Sequence, residues 1–240
     1  MLVSEDDIGS VEVENELSSL TDITALVGHQ VKAQNEPWWV CNSYEVNDEN
    51  MKPTLAIHEE EAHPAIVRAI CSTNRPFFMS VFDKATNNKI LEFERLMKCC
   101  SPILFPWSRA TIIVRDRRAE ILGFVKHVAR ETCLSWFSPS VYYEIADEKE
   151  NVEFIIQGPG GCLFECKRPS IFRIMNRSLS KQVGEISHDW RGCCGGSFSV
   201  FLSPEVDNFT LRVDKNLPVK SKALLFGALM LAHFNYMEVL

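Results

Sequence analysis

Near the end of the chain, every position from Ala223 to Ala232 is apolar or glycine. A helix here has no polar face to turn towards water, so it must be buried on all sides. Crossing a bilayer core takes roughly 20 apolar residues. The ten residues from 223 to 232, closed by His233 and Asn235, are too few and favour a helix buried inside protein. The segment read as helix is Ser221–Leu240. Upstream the texture is β-type. Short runs rich in β-branched and aromatic residues begin at Trp38, Pro53, Ala65, Pro76, Lys89, Ala110, Glu120, Val141, Asn151, Ser170, Val183 and Phe198. Each is bounded by Asn, Asp, Gly, Pro or Ser, which predicts an all-β meander, sandwich or barrel. Residues 17–34 carry apolar positions at 17, 20, 23, 26, 27 and 31, a loose helical or mixed pattern for a segment packing on the domain.

The middle of the chain repeats itself. Asp83, Cys99, Asp116 and Gly123 have counterparts in Asp147, Cys162, Asn176 and Gly184 at similar offsets. A unit of roughly 60 residues, present twice, is too long and too few for a solenoid and predicts two similar β-meanders closing one antiparallel barrel. A closed barrel needs its interior filled, and the apolar C-terminal helix is the available filling. Leu224, Phe226 and Leu231 are then interior residues, and Gly227 and Ala228 lie where the wall comes close.

Charge refines this picture. The net charge is −7 over 240 residues, and residues 1–31 hold seven acidic residues with no Lys or Arg. The expected organisation is an acidic, partly disordered leader over 1–31 and a barrel domain over 32–240, including the helix 221–240. The balance disfavours nucleic acid as a partner. The opening residues lack the basic and apolar runs of a signal peptide, and nine scattered cysteines fit a reducing compartment. No P-loop, G-x-S-x-G or H-E-x-x-H is present, so no enzymatic site is expected. Cys162, Cys166, Cys193 and Cys194 lack the paired C-x-x-C spacing of structural zinc.

Several motifs resemble those of the phospholipid scramblases, across roughly residues 17–240. They are Asn74-Arg75-Pro76-Phe77 with Asp83 and Glu94-Arg95; Leu122-Gly123-Phe124-Val125; and Gly184-Glu-Ile-Ser-His-Asp-Trp190-Arg-Gly192. The closing match is Asp207-Asn208-Phe209, then Val219 to Ala223, Gly227-Ala228, Leu231 and Glu238. The resemblance implies a tubby-like barrel of about twelve strands around a C-terminal helix. It also implies ATP-independent, Ca²⁺-promoted, bidirectional movement of phospholipids between leaflets, without covalent chemistry. The implied location is the cytoplasmic face of a membrane, the plasma membrane in particular, with protein partners in addition to lipid. The family's calcium segment corresponds to Glu205–Asn216, where Glu205, Asp207, Asp214 and Asn216 offer oxygens for weak Ca²⁺ binding. Its palmitoylated cysteine run corresponds to Cys99-Cys100, beside Arg95, Lys98 and Pro102. Trp38-Trp39, Phe105-Pro106-Trp107 and Leu134–Phe137 read either as headgroup-level aromatics or as barrel packing. Two readings of function follow: a membrane-associated lipid scramblase, or a lipid-anchored or soluble β-barrel that binds partners without moving lipid.

Overall fold

A computed structural model of the chain describes residues 16–31, 41–61, 75–96, 110–128, 142–158, 170–188 and 208–237. After a short 3₁₀ turn at Ser18–Leu20 come twelve strands. They are β1 (Ala25–Val31), β2 (Ser43–Asn47), β3 (Pro53–Glu59), β4 (Phe77–Asp83), β5 (Lys89–Arg95), β6 (Thr111–Asp116), β7 (Ile121–Val128), β8 (Tyr142–Asp147), β9 (Val152–Gln157), β10 (Ser170–Asn176), β11 (Gln182–His188) and β12 (Asn208–Val213). Helix α1 (Val219–Ala232) follows and widens into a π-helical turn, His233–Met237. Each strand pairs antiparallel with its neighbours in sequence, and β1 pairs with β12, so the sheet closes into a barrel. The fold is the expected one, a closed twelve-stranded barrel around one helix.

Period-two alternation builds the wall. In β6, Ile112, Val114 and Asp116 are buried while Thr111, Ile113 and Arg115 point outward. Closure leaves no free strand edge, and the inner faces need a partner about as wide as one helix, roughly 10 Å. The partner is α1, whose residues from Ser221 to Ala232 are all buried.

The strands are joined by two unlike sets of connections. At one rim, residues 48–52, 84–88, 117–120, 148–151, 177–181 and 214–218 make turns of four or five residues. Five of these share one design. Asp48 accepts from the amides of Asn50 and Lys52, Asp116 from Arg118 and Glu120, and Asp147 from Lys149 and Asn151. Asp83 and Asn176 do the same for their turns. A left-handed residue follows each (Met51, Asn87, Ala119, Glu150, Leu179, φ 55 to 64°), and each hairpin's register shifts by a bulge. An Asx-type turn needs only one short side-chain acceptor to replace the lost backbone partners, so it can be repeated cheaply. The sequence repeat is thus finer than two meanders: Asp83 and Asp147 are corners of alternate hairpins, and the unit is one hairpin.

Three boundaries differ from expectation. Residues 25–31, assigned from sequence to the acidic leader, form β1, because Leu26, Gly28 and Gln30 alternate inward against β12 and β2. The same alternation excludes the helical reading over 25–31, while residues 32–34 lie outside the described residues. Helix α1 begins at Val219, two residues before the expected Ser221, and its regular part ends at Ala232. Of the twelve β-type runs, ten are β2 to β11; those at Ala65 and Phe198 lie outside the described residues.

Candidate functional site

The helix meets the wall most closely where side chains are smallest. A Cβ on Gly227 would lie 2.6 Å from a methyl of Val114, and one on Gly123 would meet the Ala146 carbonyl at 2.2 Å and Leu224 at 2.9 Å. Around this contact Leu224, Phe226, Ala228 and Leu231 are fully buried, and the Phe226 ring packs edge-on against Phe93 at 5.4 Å. At the turn rim, Lys222 is buried in the first turn of α1 and donates to the Thr21 carbonyl at 2.5 Å. Loss of water pushes its ammonium below the usual lysine pKa. Ser221 donates to Glu153. Leu17 and Leu20, beside Thr21, complete the buried cover of this end.

At the opposite rim a buried polar cluster holds the end of the helix. The Arg75 guanidinium grips Glu59 through Nε–Oε1 and Nη2–Oε2, both 3.3 Å, and lies 4.9 Å over the Phe234 ring. The Phe77 ring lies against the Phe234 ring itself, tilted, at 4.5 Å between centroids. Arg95 donates to Asn235 at 3.0 Å, and Asn235 donates to the Tyr143 hydroxyl at 3.2 Å. Glu59 also accepts from the Asn42 amide, and Gln30 donates to the Asn42 side chain. His233 sits inside an aromatic cage of Tyr44, Phe209 and Phe234. Residues of β2, β4, β5, β8 and β12, with Arg75 held by Glu59 of β3, thereby clasp one π-helical turn.

This latch was not foreseen from sequence, although its signal is visible: two arginines, Arg75 and Arg95, flank apolar strands instead of exposed turns. Most of the motif residues quoted above serve it or the wall. Asp83 caps a turn, Glu94 pairs with Arg115 at 3.1 Å, Gly123 admits Leu224, and a Cβ on Gly184 would strike the Arg212 carbonyl at 2.4 Å. Phe209 covers Gly28 directly across β1 and β12.

Of the candidate calcium ligands, the structure describes Asp214 and Asn216. Residues 208–213 form β12, about 20 Å of strand, between Asp207 and Asp214. Asp214 and Asn216 belong to the turn beyond it, where the Asp214 carboxylate accepts from the Asn216 amide and side chain and faces Lys181 at 3.6 Å. The Asn216 amide holds the Asp214 pKa below the usual aspartate range. Glu205 and Asp207 lie outside the described residues, as do Cys99, Cys100 and the tryptophan motifs. Among the described residues no three His, Cys, Asp or Glu side chains gather as for a metal.

The outer wall is charged. Glu94–Arg115 and Glu185–Arg212 form cross-strand pairs on it, and Lys84, in the turn after β4, pairs with Glu45 of β2 and holds its pKa down. Charges on a lipid-facing barrel wall cost about 2–4 kcal/mol each for Arg or Lys at the bilayer midplane. This wall is built for water. Among the described residues no helix is long and apolar enough to cross a membrane.

A family model described as Scramblase matches residues 9–239. Curated relatives include bovine (Bos taurus) phospholipid scramblase 2, 27% identical over 93% of this chain and 71% of its own length. Human (Homo sapiens) phospholipid scramblase 4 is 24% identical over 82% of this chain and 55% of that protein. Mouse (Mus musculus) phospholipid scramblase 4 is 29% identical over 68% of this chain and 46% of that protein. The matches thus span about half to seven tenths of these relatives. No solved structure matches the chain.

Proposed function

The chain belongs to the Scramblase family, and from that premise we propose that it works at phospholipid membranes, promoting ATP-independent, bidirectional movement of phospholipids between leaflets. The observation that carries this reading is a family match extending over the whole barrel together with its plug, residues 9–239. The barrel rests at the cytoplasmic face, plasma membrane included, attached through acyl chains on Cys99 and Cys100; each buried methylene adds about 0.8 kcal/mol to such an anchor. Replacing both cysteines with serine is expected to move the protein to the soluble fraction of a lysate, and unchanged fractionation would remove this part.

The plug bears on where lipid could pass. An interior occupied by α1 has no room for headgroups, so the lipid path runs outside the barrel, across membrane that the protein perturbs. Ca²⁺ promotion belongs to the proposal, with Glu205 and Asp207 as its carboxylates. Asp214, committed to its turn, affects stability first.

Reconstitution decides the matter. Full-length protein goes into vesicles carrying a fluorescent phospholipid in both leaflets, without ATP, with and without Ca²⁺, and a membrane-impermeant quencher is added. Scrambling lets quenching pass beyond the outer leaflet, more so with Ca²⁺, and Asp207→Ala loses the Ca²⁺ effect. Quenching that stops at the outer leaflet while the protein stays bound would favour the second reading, a lipid-attached adaptor that binds partner proteins. The water-facing wall and filled interior are the observations that support that reading.

A further inference from the structure

Four of the five hairpin corners are built on a carboxylate, and the fifth is not. Asp48, Asp83, Asp116 and Asp147 supply one to their turns, and Glu49, Glu120, Glu148 and Glu150 add further acids. The corner between β10 and β11, residues 176–181, holds no acid. Its acceptor is the neutral Asn176 side chain, whose oxygen takes the backbone amides of Ser180 and Lys181 at 2.9 and 3.1 Å. Two serines stand in this turn, Ser178 and Ser180, both exposed, with hydroxyl oxygens 2.8 Å apart. The Asn176 side-chain nitrogen donates to the Ser180 oxygen at 3.0 Å. The other four corners contain a single hydroxyl, Thr86, whose backbone amide donates to the Asp83 carboxylate. Three exposed cations belong to the neutral corner: Arg173 on β10, and Arg177 and Lys181 in the turn. Lys181 faces Asp214 at 3.6 Å. Arg173 and Arg177 make no ion pair among the described residues, since Glu185, beside Arg173 across the ladder, is engaged by Arg212.

We propose that Ser180 is a phosphorylation site, the acceptor for a serine kinase that reads Arg177 three residues ahead of it. This goes beyond the membrane role and does not depend on it. In the transfer the Ser180 oxygen attacks the γ-phosphorus of a nucleoside triphosphate held by the kinase. The bond from that phosphorus to the β–γ bridging oxygen breaks, the nucleoside diphosphate leaves, and the hydroxyl proton passes to a base of the kinase. The product carries roughly two added negative charges and three strong acceptor oxygens. At an Asp corner such a group would stand against a carboxylate and be repelled. At 176–181 it meets a nitrogen already directed at the Ser180 oxygen, with Arg177 and Lys181 available for charge-assisted hydrogen bonds. The same neutrality makes the corner accessible. A kinase takes its acceptor in an opened, extended stretch, and N–H bonds to a carboxylate are about twice as strong as those to a neutral amide oxygen. The corner with the weakest acceptor is the one that opens most readily. An Arg-x-x-Ser spacing is common in sequences; the uncharged corner around it is what singles out Ser180. Ser178 is the poorer acceptor, because Arg177 directly precedes it and the Asn176 nitrogen is given to Ser180.

The full chain is incubated with Mg²⁺, ATP and a purified kinase of the class that selects arginine three residues before its acceptor, and phosphopeptides are quantified by mass spectrometry. Ser180 is expected to lead, Ser180→Ala to lose that phosphate, and Arg177→Gln to slow its addition severalfold. Urea unfolding of the phosphorylated and unmodified chains then tests whether the corner accommodates the group. An Asn176→Asp variant is carried alongside; it folds with the acid that the other four corners already use. Phosphorylation is expected to lower the midpoint of Asn176→Asp more than that of the unaltered sequence. Absence of phosphate from Ser180, or an undiminished rate in Arg177→Gln, overturns the assignment of the acceptor. A fall in midpoint as large in the unaltered sequence as in Asn176→Asp means that the neutral corner does not admit phosphate, and overturns the proposal as well.

Discussion

Glu59 and Arg75 are both nearly inaccessible, with side chains 2% and 8% exposed. Taking one partner away leaves the other charge buried, which costs about 3–5 kcal/mol, whereas replacing both with apolar groups of similar size is near neutral. Arg75→Met alone is therefore expected to lower the denaturation midpoint sharply, and adding Glu59→Leu to recover most of the loss. A double variant no better than the single one would show that the pair is not the unit. The hairpin corners give a pH test. Asn151 donates its side-chain amide to Asp147, and Asn216 its backbone amide to Asp214, and both carboxyls sit below their usual pKa. Their stabilisation is complete above the unfolded aspartate value, about 4, and disappears as pH falls through the lower folded values. Converting both to Asn should flatten the stability–pH curve in that acid window while leaving its shape near neutrality. An unchanged acid slope would mean that the corners are not what titrates.

Among the elements, α1 and the hairpins β2 to β11 were legible in the sequence because their signals are local. Ten apolar positions in a row allow only burial, and alternation between turn residues allows only strands. The two closing strands were not legible for a physical reason each. In β1, Gly28 and Gln30 stand at inward positions, so alternation of hydrophobicity is broken although alternation of direction is intact. The glycine is there because Phe209 covers it from β12, a partner some 180 residues away. The strand β12 alternates cleanly through Phe209, Leu211 and Val213, but the family's calcium pattern overlies it, and the acids of that pattern flank the strand. The latch was hidden because its members come from strands all round the barrel and from one helix turn. Only the closed fold brings them together. At the helix–wall contact, Gly227→Ala places a Cβ against Val114 and is expected to cost about 1–3 kcal/mol by overpacking. Val114→Ala in the same chain should relieve it, giving a favourable coupling in a double-mutant cycle. Simple additivity would mean that helix and wall do not touch there.

The whole molecule is a barrel whose core is its own C-terminal helix, clamped at both rims: Lys222 on Thr21 at the turns, and Arg75, Arg95 and Tyr143 around the π-helical turn at the other end. Twelve inner strand faces and α1 share one hydrophobic core. Large barrels stay open only when water or a ligand fills them, and the inward residues here are apolar. The helix thus supplies what the barrel needs to fold, and a membrane role has to work with the plug in place. Ending the chain after Pro218 tests this most directly, by purifying the truncated protein and following its unfolding in urea. The account predicts that the truncated barrel aggregates, or unfolds without a cooperative transition. A soluble truncation melting cooperatively near the midpoint of the full chain would contradict it, and would mean that α1 is not the barrel's core.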